Sequence, residues 1–296
     1  MGAESSAGRE GTLPRSLIRR AVSTARSVRA VVTRPPYATP GHFYSPLTAE
    51  ADLSRALSWT AAPGVDLAEE QQLALAARLR PLLADTVAAQ RYVAGNRMFG
   101  PADAAVYRAM LADLRPRHVI EVGSGYSTAV ALDEADSNPE LSGLEITCIE
   151  PFPERLLGII KESDRKRLTL LRQPVQDVDA AAYQRLGRND VLFVDSTHVV
   201  KAGSDVVWIF LHVLPTLAPG VVVHVHDVFW PFEYPARWLQ QRRDWTEAYL
   251  LHAFLAGNAN WEILFFSSWF WRRRPELVPQ SLADQEPGSI WLRKVR

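Results

Sequence analysis

The chain has 296 residues, long for one minimal domain and short for two full ones. Its 47% hydrophobic content supports a large core, and 33 Lys+Arg against 33 Asp+Glu remove any whole-chain argument for a nucleic-acid partner. A single cysteine, Cys148, excludes an intrachain disulfide framework or a zinc–thiolate cluster and suits a reducing, cytoplasmic setting.

The first residues lack the apolar core and small-residue cleavage site of a signal peptide. The most apolar stretch, Val206 to Val225, is broken by His212, Pro215, Pro219 and His224 and does not read as a membrane span. Residues 1–34 carry seven arginines against Glu4 and Glu10. SLIRRAVSTARSVRAVVTR can form a basic amphipathic helix that touches a membrane surface or a partner; a solvated tail is the preferred reading. PPYATPG (35–41) reads as a linker, so residues 1–45 are expected to be tail and linker. A helix is expected from Val65, capped by Asp66 with Glu69 and ended by Pro81. Residues 46–100 then form a helical lid segment, and residues 101–296 the main domain.

From there strands and helices alternate. Helices are expected over 101–114, 127–136, 153–162, 178–186, 204–217 and 245–256. Strands are expected at HVIEV (118–122), LEITCI (144–149), LTLL (168–171), VLFV (191–194), VVVHV (221–225), EILFF (262–266) and SIWL (289–292). Short β-rich apolar runs between helices mean a largely parallel sheet covered on both faces. The segment joining the last two strands looks too poor in helix former to be a crossover, which makes the final strand antiparallel.

Ligands bind beyond the carboxyl ends of such strands. The first strand runs into EVGSG (121–125), where Gly123 and Gly125 permit a tight turn close to a ligand. A dinucleotide fingerprint would need a third glycine where Thr128 stands, which weakens an NAD reading. The second strand ends at Glu150, placed to accept from two ribose hydroxyls. After the third, PVQDVD offers Asp177, the nearer candidate, or Gln176 to an adenine amino group.

EVGSGYS, the acidic end of the second strand, VQDVD and VDSTH together resemble the successive motifs of class I S-adenosylmethionine-dependent methyltransferases, over about residues 96–270. The pattern is similar to a subgroup with metal-dependent O-methyltransferases acting on macrolide sugars. This resemblance implies an α/β, Rossmann-like, seven-stranded mixed sheet of order 3-2-1-4-5-7-6 with strand 7 antiparallel. It also implies that Glu121 and Gly123 lie beside the methionine part of S-adenosylmethionine and that Glu150 binds its ribose. Ser124, Gly125 and Ser127 of the same motif are assigned to the cofactor with them.

Strands four and five end in Asp195 and Asp227. Two carboxylates at one level repel unless a cation lies between them or one takes a proton. Oxygen ligands with imidazole suit Mg²⁺ or Mn²⁺. HVHD adds His224 and His226, of which only His226 stands at the tip beside Asp227; His224 reads as a satisfied core histidine. By the resemblance, Asp195 matches the first metal carboxylate, His198 the general base and Asp227 the last metal carboxylate. The chain departs from the pattern at His226, where the family has an acid, and His226 is taken as a third metal ligand. Asp195 and His198 also read, more plainly, as a helix cap and a carbonyl-bonded histidine.

VFWPFEYPARW after Asp227 makes a stiff apolar loop, with Glu233 and Tyr234 placed to hydrogen-bond an acceptor or packed away beneath a lid. Trp269 and Trp271 admit the same two readings, and WRRRPE (271–276) reads as a solvated turn. The expected activity is transfer of a methyl group to a hydroxyl of a small molecule or glycan, in a chain free to form homo-oligomers. Two other readings stay open: a hydroxylase using two histidines and a carboxylate for iron, and a cofactor-binding module without turnover.

Overall fold

The computed structural model describes residues 37–84 and 89–296, so the arginine-rich tail falls outside the described residues. The chain divides into two units, residues 1–54 and 55–296. In the smaller, the described residues make successive turns that lead into α1 (Glu50–Ala56).

The larger unit is a doubly wound sheet. In chain order it contains α2 (Glu69–Ala84), α3 (Pro101–Leu114), β1 (His118–Val122), α4 (Tyr126–Ser137), β2 (Glu145–Ile149), α5 (Glu154–Leu157), β3 (Leu168–Leu171) and β4 (Val191–Val194). There follow α6 (Asp205–Trp208), β5 (Val222–His226), α7 (Ala236–Gln240), α8 (Glu247–Leu255), β6 (Trp261–Phe266), α9 (Ser267–Arg273) and β7 (Ser289–Lys294). The sheet order is β3-β2-β1-β4-β5-β7-β6, parallel through the first five strands, with β7 antiparallel to both neighbours. Expected order and orientation both hold. The central strands read VLFV and VVHVH and are buried at every position, as strands covered on both faces must be.

Register positions the site. Val122 pairs with Ile149 on one side and Val194 on the other, and Val194 pairs with Val225. The next residues along are Gly123, Glu150, Asp195 and His226, so four strand tips finish at one level.

Several helical expectations give way. α2 begins at Glu69, and Asp66 instead closes a turn by accepting the Ala68 N–H at 2.9 Å. Pro81 lies inside α2 without ending it. The runs 153–162 and 178–186 shrink to the single turn of α5 and to 3₁₀ turns. Over 204–217 only the first turn is regular; Pro215 has no N–H to give, and the helix passes into wider and then tighter turns around it. Conversely SSWFWRR, expected to be loop, is α9; its Trp269, Phe270 and Trp271 are all buried, so tertiary packing outweighs modest propensity.

The expected lid is mostly a cover for the sheet. α2 packs on α3 and β6, and the buried Gln72 side chain accepts the Phe266 N–H at 2.8 Å while donating to the Leu67 carbonyl at 2.6 Å. Arg91 then fastens the following loop, its buried guanidinium reaching Asp133 at 2.8 Å, Asp136 at 2.8 Å and Asp164 at 2.6 Å. Removing such a partner from a buried cluster costs about 3–5 kcal/mol, because the remaining charges lose their compensation.

Candidate active site

Gly123 turns the chain at φ +79, and a Cβ placed there would lie 2.1 Å from the Asp195 carbonyl oxygen. The turn after β1 and the tip of β4 are in backbone contact, and only glycine allows it. Asp195 N–H donates to the Val122 carbonyl at 2.9 Å and Gly123 N–H to that of Ile149 at 3.1 Å. Beneath this turn Glu121 is fully buried, accepting from Ser127, from Thr128 at 2.5 Å and from the Cys148 thiol at 3.8 Å. Burial raises its carboxyl to about 7 against those hydrogen bonds, with the Asp195 charge adding to the rise.

Two lobes of one groove open above the tips. A lobe of about 420 Å³ runs from Gly123 past Glu150 and Phe152 to Gln176. The Glu150 carboxylate is aimed by two backbone donors, Ser124 N–H at 3.2 Å and Phe152 N–H at 2.8 Å. Gln176 gives its amide N–H to the Gly203 carbonyl at 2.9 Å, which leaves its amide oxygen to the groove. Asp177 does not line this lobe, although the sequence made it the nearer candidate. Of the other residues assigned to the cofactor, Ser124 lines the second lobe, whereas Glu121 and Ser127 lie below the floor.

The second lobe, about 930 Å³, shares Gly123, Glu150 and Asp195 with the first and extends to His198 and Asp227. Ligand atoms of Asp195, His198 and Asp227 all lie within 4.8 Å of one another. His198 Nε2 stands 3.3 Å from Asp195 Oδ1 and 3.6 Å from Asp227 Oδ2, while Nδ1 is 2.8 Å from Glu247 Oε2. His198 and Asp227 both adopt left-handed backbone, at φ 60 and φ 56, conformations that persist where surrounding structure enforces them. The enforcement is visible: His198 carbonyl accepts the N–H groups of Thr246 and Glu247 at 2.8 and 3.1 Å, and Thr197 is bound through backbone and hydroxyl to Asp205.

Charge explains the titration of this group. Burial alone would lower His198, but the hydrogen bonds to Asp195 and Glu247 and the nearby Asp227 carry it well above its ordinary value. For Asp195 burial works upward, and the His198 bond with the charges of His226, His198 and Arg155 pulls it below the usual range. Asp227, buried and less well partnered, rises to about 6.

His226 is outside the three-residue ligand group. Its ring is buried 5.0 Å from Phe99 and 6.4 Å from Phe193, with Nε2 3.6 Å from Asp227 Oδ1 and Nδ1 unpartnered. His224 is a core residue, but not a satisfied one: it stacks on Phe193 at 4.0 Å, both nitrogens lack partners, and burial drives its pKa well down. The group therefore offers one histidine and two carboxylates, not the two-histidine set of the hydroxylase reading.

Of the two readings open for the aromatic loop, its first part takes the packed one. Phe229, Phe232, Glu233 and Tyr234 are buried; Glu233 accepts from the Tyr249 hydroxyl at 2.6 Å, and Tyr234 accepts from Ala248 N–H at 3.1 Å. The wall of the second lobe comes from the end of that stretch, Arg237 and Trp238, and from Arg243 and Trp245 beyond it. Arg243, Trp245 and Glu247 escape sequence reasoning because no local motif joins them to Asp195 or His198. Glu247 is 49 positions from His198, and its one hint is a carboxylate in the first turn of an otherwise apolar helix.

The sheet order and the glycine turn at the β1 tip define the class I, S-adenosylmethionine-dependent methyltransferase architecture. Residues 120–228 match the family model for a methyltransferase domain, and the chain belongs to that family. It is 30% identical over 167 residues to an uncharacterized protein of Archaeoglobus fulgidus, covering 51% of this chain and 74% of that one. Among solved structures it is similar to the SAH-bound Podospora anserina methyltransferase PaMTH1, at 15% identity over 97% of this chain and 99% of the other with a TM-score of 0.44. The O-methyltransferase of Bacillus cereus in complex with SAH matches at 12% identity over 91% and 97%, TM-score 0.41. The cmcI-N160 SAH structure matches at 21% identity over 42% of this chain, TM-score 0.32, and the chain spans only 59% of it. Among the described residues no helix is long and apolar enough to cross a membrane.

Proposed function

We propose that this protein transfers the methyl group of S-adenosylmethionine to a hydroxyl of a small molecule or sugar, with a divalent cation, Mg²⁺ or Mn²⁺, held by Asp195, His198 and Asp227. One observation carries the reading: the glycine turn, the aimed Glu150 carboxylate and three ligand atoms within 4.8 Å share a single groove.

S-adenosylmethionine supplies a methyl group already activated on a sulfonium, so the protein's work is placement of two reactants in line. Glu150, oriented by Ser124 and Phe152, accepts the ribose hydroxyls. Gln176, held by Gly203, turns its amide oxygen to the adenine amino group. Gly123 keeps the floor low enough for the methionine portion to lie across the β1 and β4 tips. The donor set of two carboxylates and one imidazole fits a hard or borderline divalent ion. When bound, such an ion lowers the pKa of a coordinated hydroxyl. Both His198 nitrogens face carboxylates, which suits the ring to ligation and leaves neither nitrogen free to act as a general base. Glu247 accepts the hydrogen bond from Nδ1–H and so directs Nε2 at the two aspartates.

The test is calorimetry with SAH and paramagnetic titration with Mn²⁺ on wild type, Glu150→Ala and Asp195→Asn. The expected result is SAH binding that Glu150→Ala weakens and Mn²⁺ binding that Asp195→Asn removes. A wild-type protein that ignores SAH would end the methyltransferase reading; Mn²⁺ binding indifferent to Asp195 would end the metal assignment.

A further inference from the structure

The second lobe is lined by four arginines drawn from separate places in the chain: Arg97, Arg155, Arg237 and Arg243. None forms an ion pair with a carboxylate among the described residues, whereas Arg78, Arg91, Arg115, Arg165, Arg185 and Arg272 all do. The acids beside these arginines are answered otherwise: Asp195 and Asp227 flank His198, and Glu150 takes two backbone N–H groups.

Resting on the methyltransferase reading, we infer that the acceptor is anionic, carrying a carboxylate or phosphate besides the hydroxyl that is methylated, and that Arg237 and Arg243 bind this charge. The donor brings a single carboxylate. Arg155 is placed for it, its side chain lying 3.0 Å from where a Cβ on Gly125 would stand, directly over the glycine turn. The remaining cations exceed what the donor needs. Arg237 and Arg243 belong to another part of the lining, the segment that also supplies Trp238 and Trp245. The Arg243 guanidinium lies over both indoles, 4.1 Å from the Trp238 ring centre and 4.8 Å from that of Trp245. Its remaining side-chain partner is the neutral Gln241 oxygen, at 3.3 and 3.4 Å. Such stacking fixes a planar guanidinium and leaves its edge for a bidentate anion. Trp245 in turn lies 4.3 Å from the His198 ring, so the wall is continuous with the proposed metal group. An acceptor held at Arg237 and Arg243 thus lies in the same lobe that Asp195 and Asp227 line.

The test titrates glucuronate, glucose 6-phosphate and glucose into the Mg²⁺-containing protein with and without saturating SAH, following tryptophan fluorescence and calorimetric heat. One or both anionic sugars should bind at least about tenfold tighter than glucose, as a charge-assisted bidentate contact gives, with the advantage shrinking as salt is raised. Which of the two binds better separates a carboxylate from a phosphate acceptor. In Arg237→Gln/Arg243→Gln the advantage should fall to within about twofold of glucose while SAH affinity is kept. Equal binding of all three sugars, binding of none, or an advantage that survives the double substitution overturns the inference. Failure to bind SAH overturns the methyltransferase reading instead, and the sugar series without SAH still judges the anion site.

Discussion

The two lobes of the groove are built by opposite strategies. The lobe proposed for the donor is assembled from short runs at or just after the ends of successive strands: Val122 and Gly123 at β1, Ile149 to Phe152 at β2, Pro174 to Gln176 after β3 and Asp195 to Thr197 after β4. Its geometry is set by backbone, through the Gly123 approach to Asp195 and the two N–H donors on Glu150. The acceptor lobe is assembled from distant chain, with Asp195, Asp227 and Glu247 converging on His198 across as many as 49 positions, and its geometry is set by side-chain charge. Backbone-built sites fail by steric collapse; charge-built sites fail by loss of a partner with the fold intact.

The largest test of this contrast is Gly123→Ala. The new methyl meets a backbone oxygen at 2.1 Å in a left-handed turn, so β1 or β4 must move. Strain and overpacking together should cost about 4 kcal/mol in urea unfolding, and SAH binding should vanish with them. A variant within about 1 kcal/mol of wild type, with SAH affinity unchanged, would break the backbone half of the comparison.

Glu121→Gln comes next and acts only through pH. The Glu121 carboxyl titrates near 7 in the folded chain, chiefly through burial, against an ordinary 4.5. A raised acid favours the folded state below its unfolded pKa, so this contribution is complete under pH 4.5 and is lost as pH rises through about 7. The amide has no proton to lose. Glu121→Gln should therefore match wild type near pH 4 and exceed it by about 3 kcal/mol at pH 8, measured on chelator-treated protein. Parallel pH–stability curves would show that the wild-type carboxyl is not held neutral.

What could be read in the sequence follows the same division. The strands and the glycine turn at the β1 tip were legible because they are local signals, whereas the sheet order came only through the family resemblance. Asp177 was ranked ahead of Gln176, but it is Gln176 that lines the groove, because a 3₁₀ turn decides which of two neighbours faces it. His226 was favoured over His198 as a ligand because it adjoins Asp227; the left-handed turn at His198, which brings its ring to both aspartates, leaves no mark in VDSTH. Phe229 and Tyr234 pack inward while Arg237 and Trp238, at the end of the same stretch, line the groove, and Arg243 and Trp245 beyond it had no pattern to reveal them.

Asp227→Asn tests the charge-built half directly. Removing one carboxylate from the group should weaken Mn²⁺ binding by about 100-fold while leaving SAH affinity within about twofold, because Asp227 lines only the acceptor lobe. A parallel fall in both affinities would mean that the lobes are one coupled site, and the contrast would dissolve.

The smallest effect belongs to Glu247→Gln, and it discriminates most finely. Glu247 is buried at the start of α8 and touches no part of the groove surface; it acts through the His198 Nδ1 proton and the Ser196 hydroxyl, at 2.8 and 3.0 Å. Glutamine is nearly isosteric and can still accept the Nδ1 proton, but it removes the charge that makes the ring a stronger donor from Nε2. Mn²⁺ affinity should drop by about tenfold, the range typical of outer carboxylates behind a ligating histidine, with thermal stability and SAH binding little changed. Glu247→Asp, which restores the charge on a shorter arm, should recover part of the loss. If glutamine leaves Mn²⁺ affinity untouched, His198 is held by shape alone, and charge sets only the two aspartates.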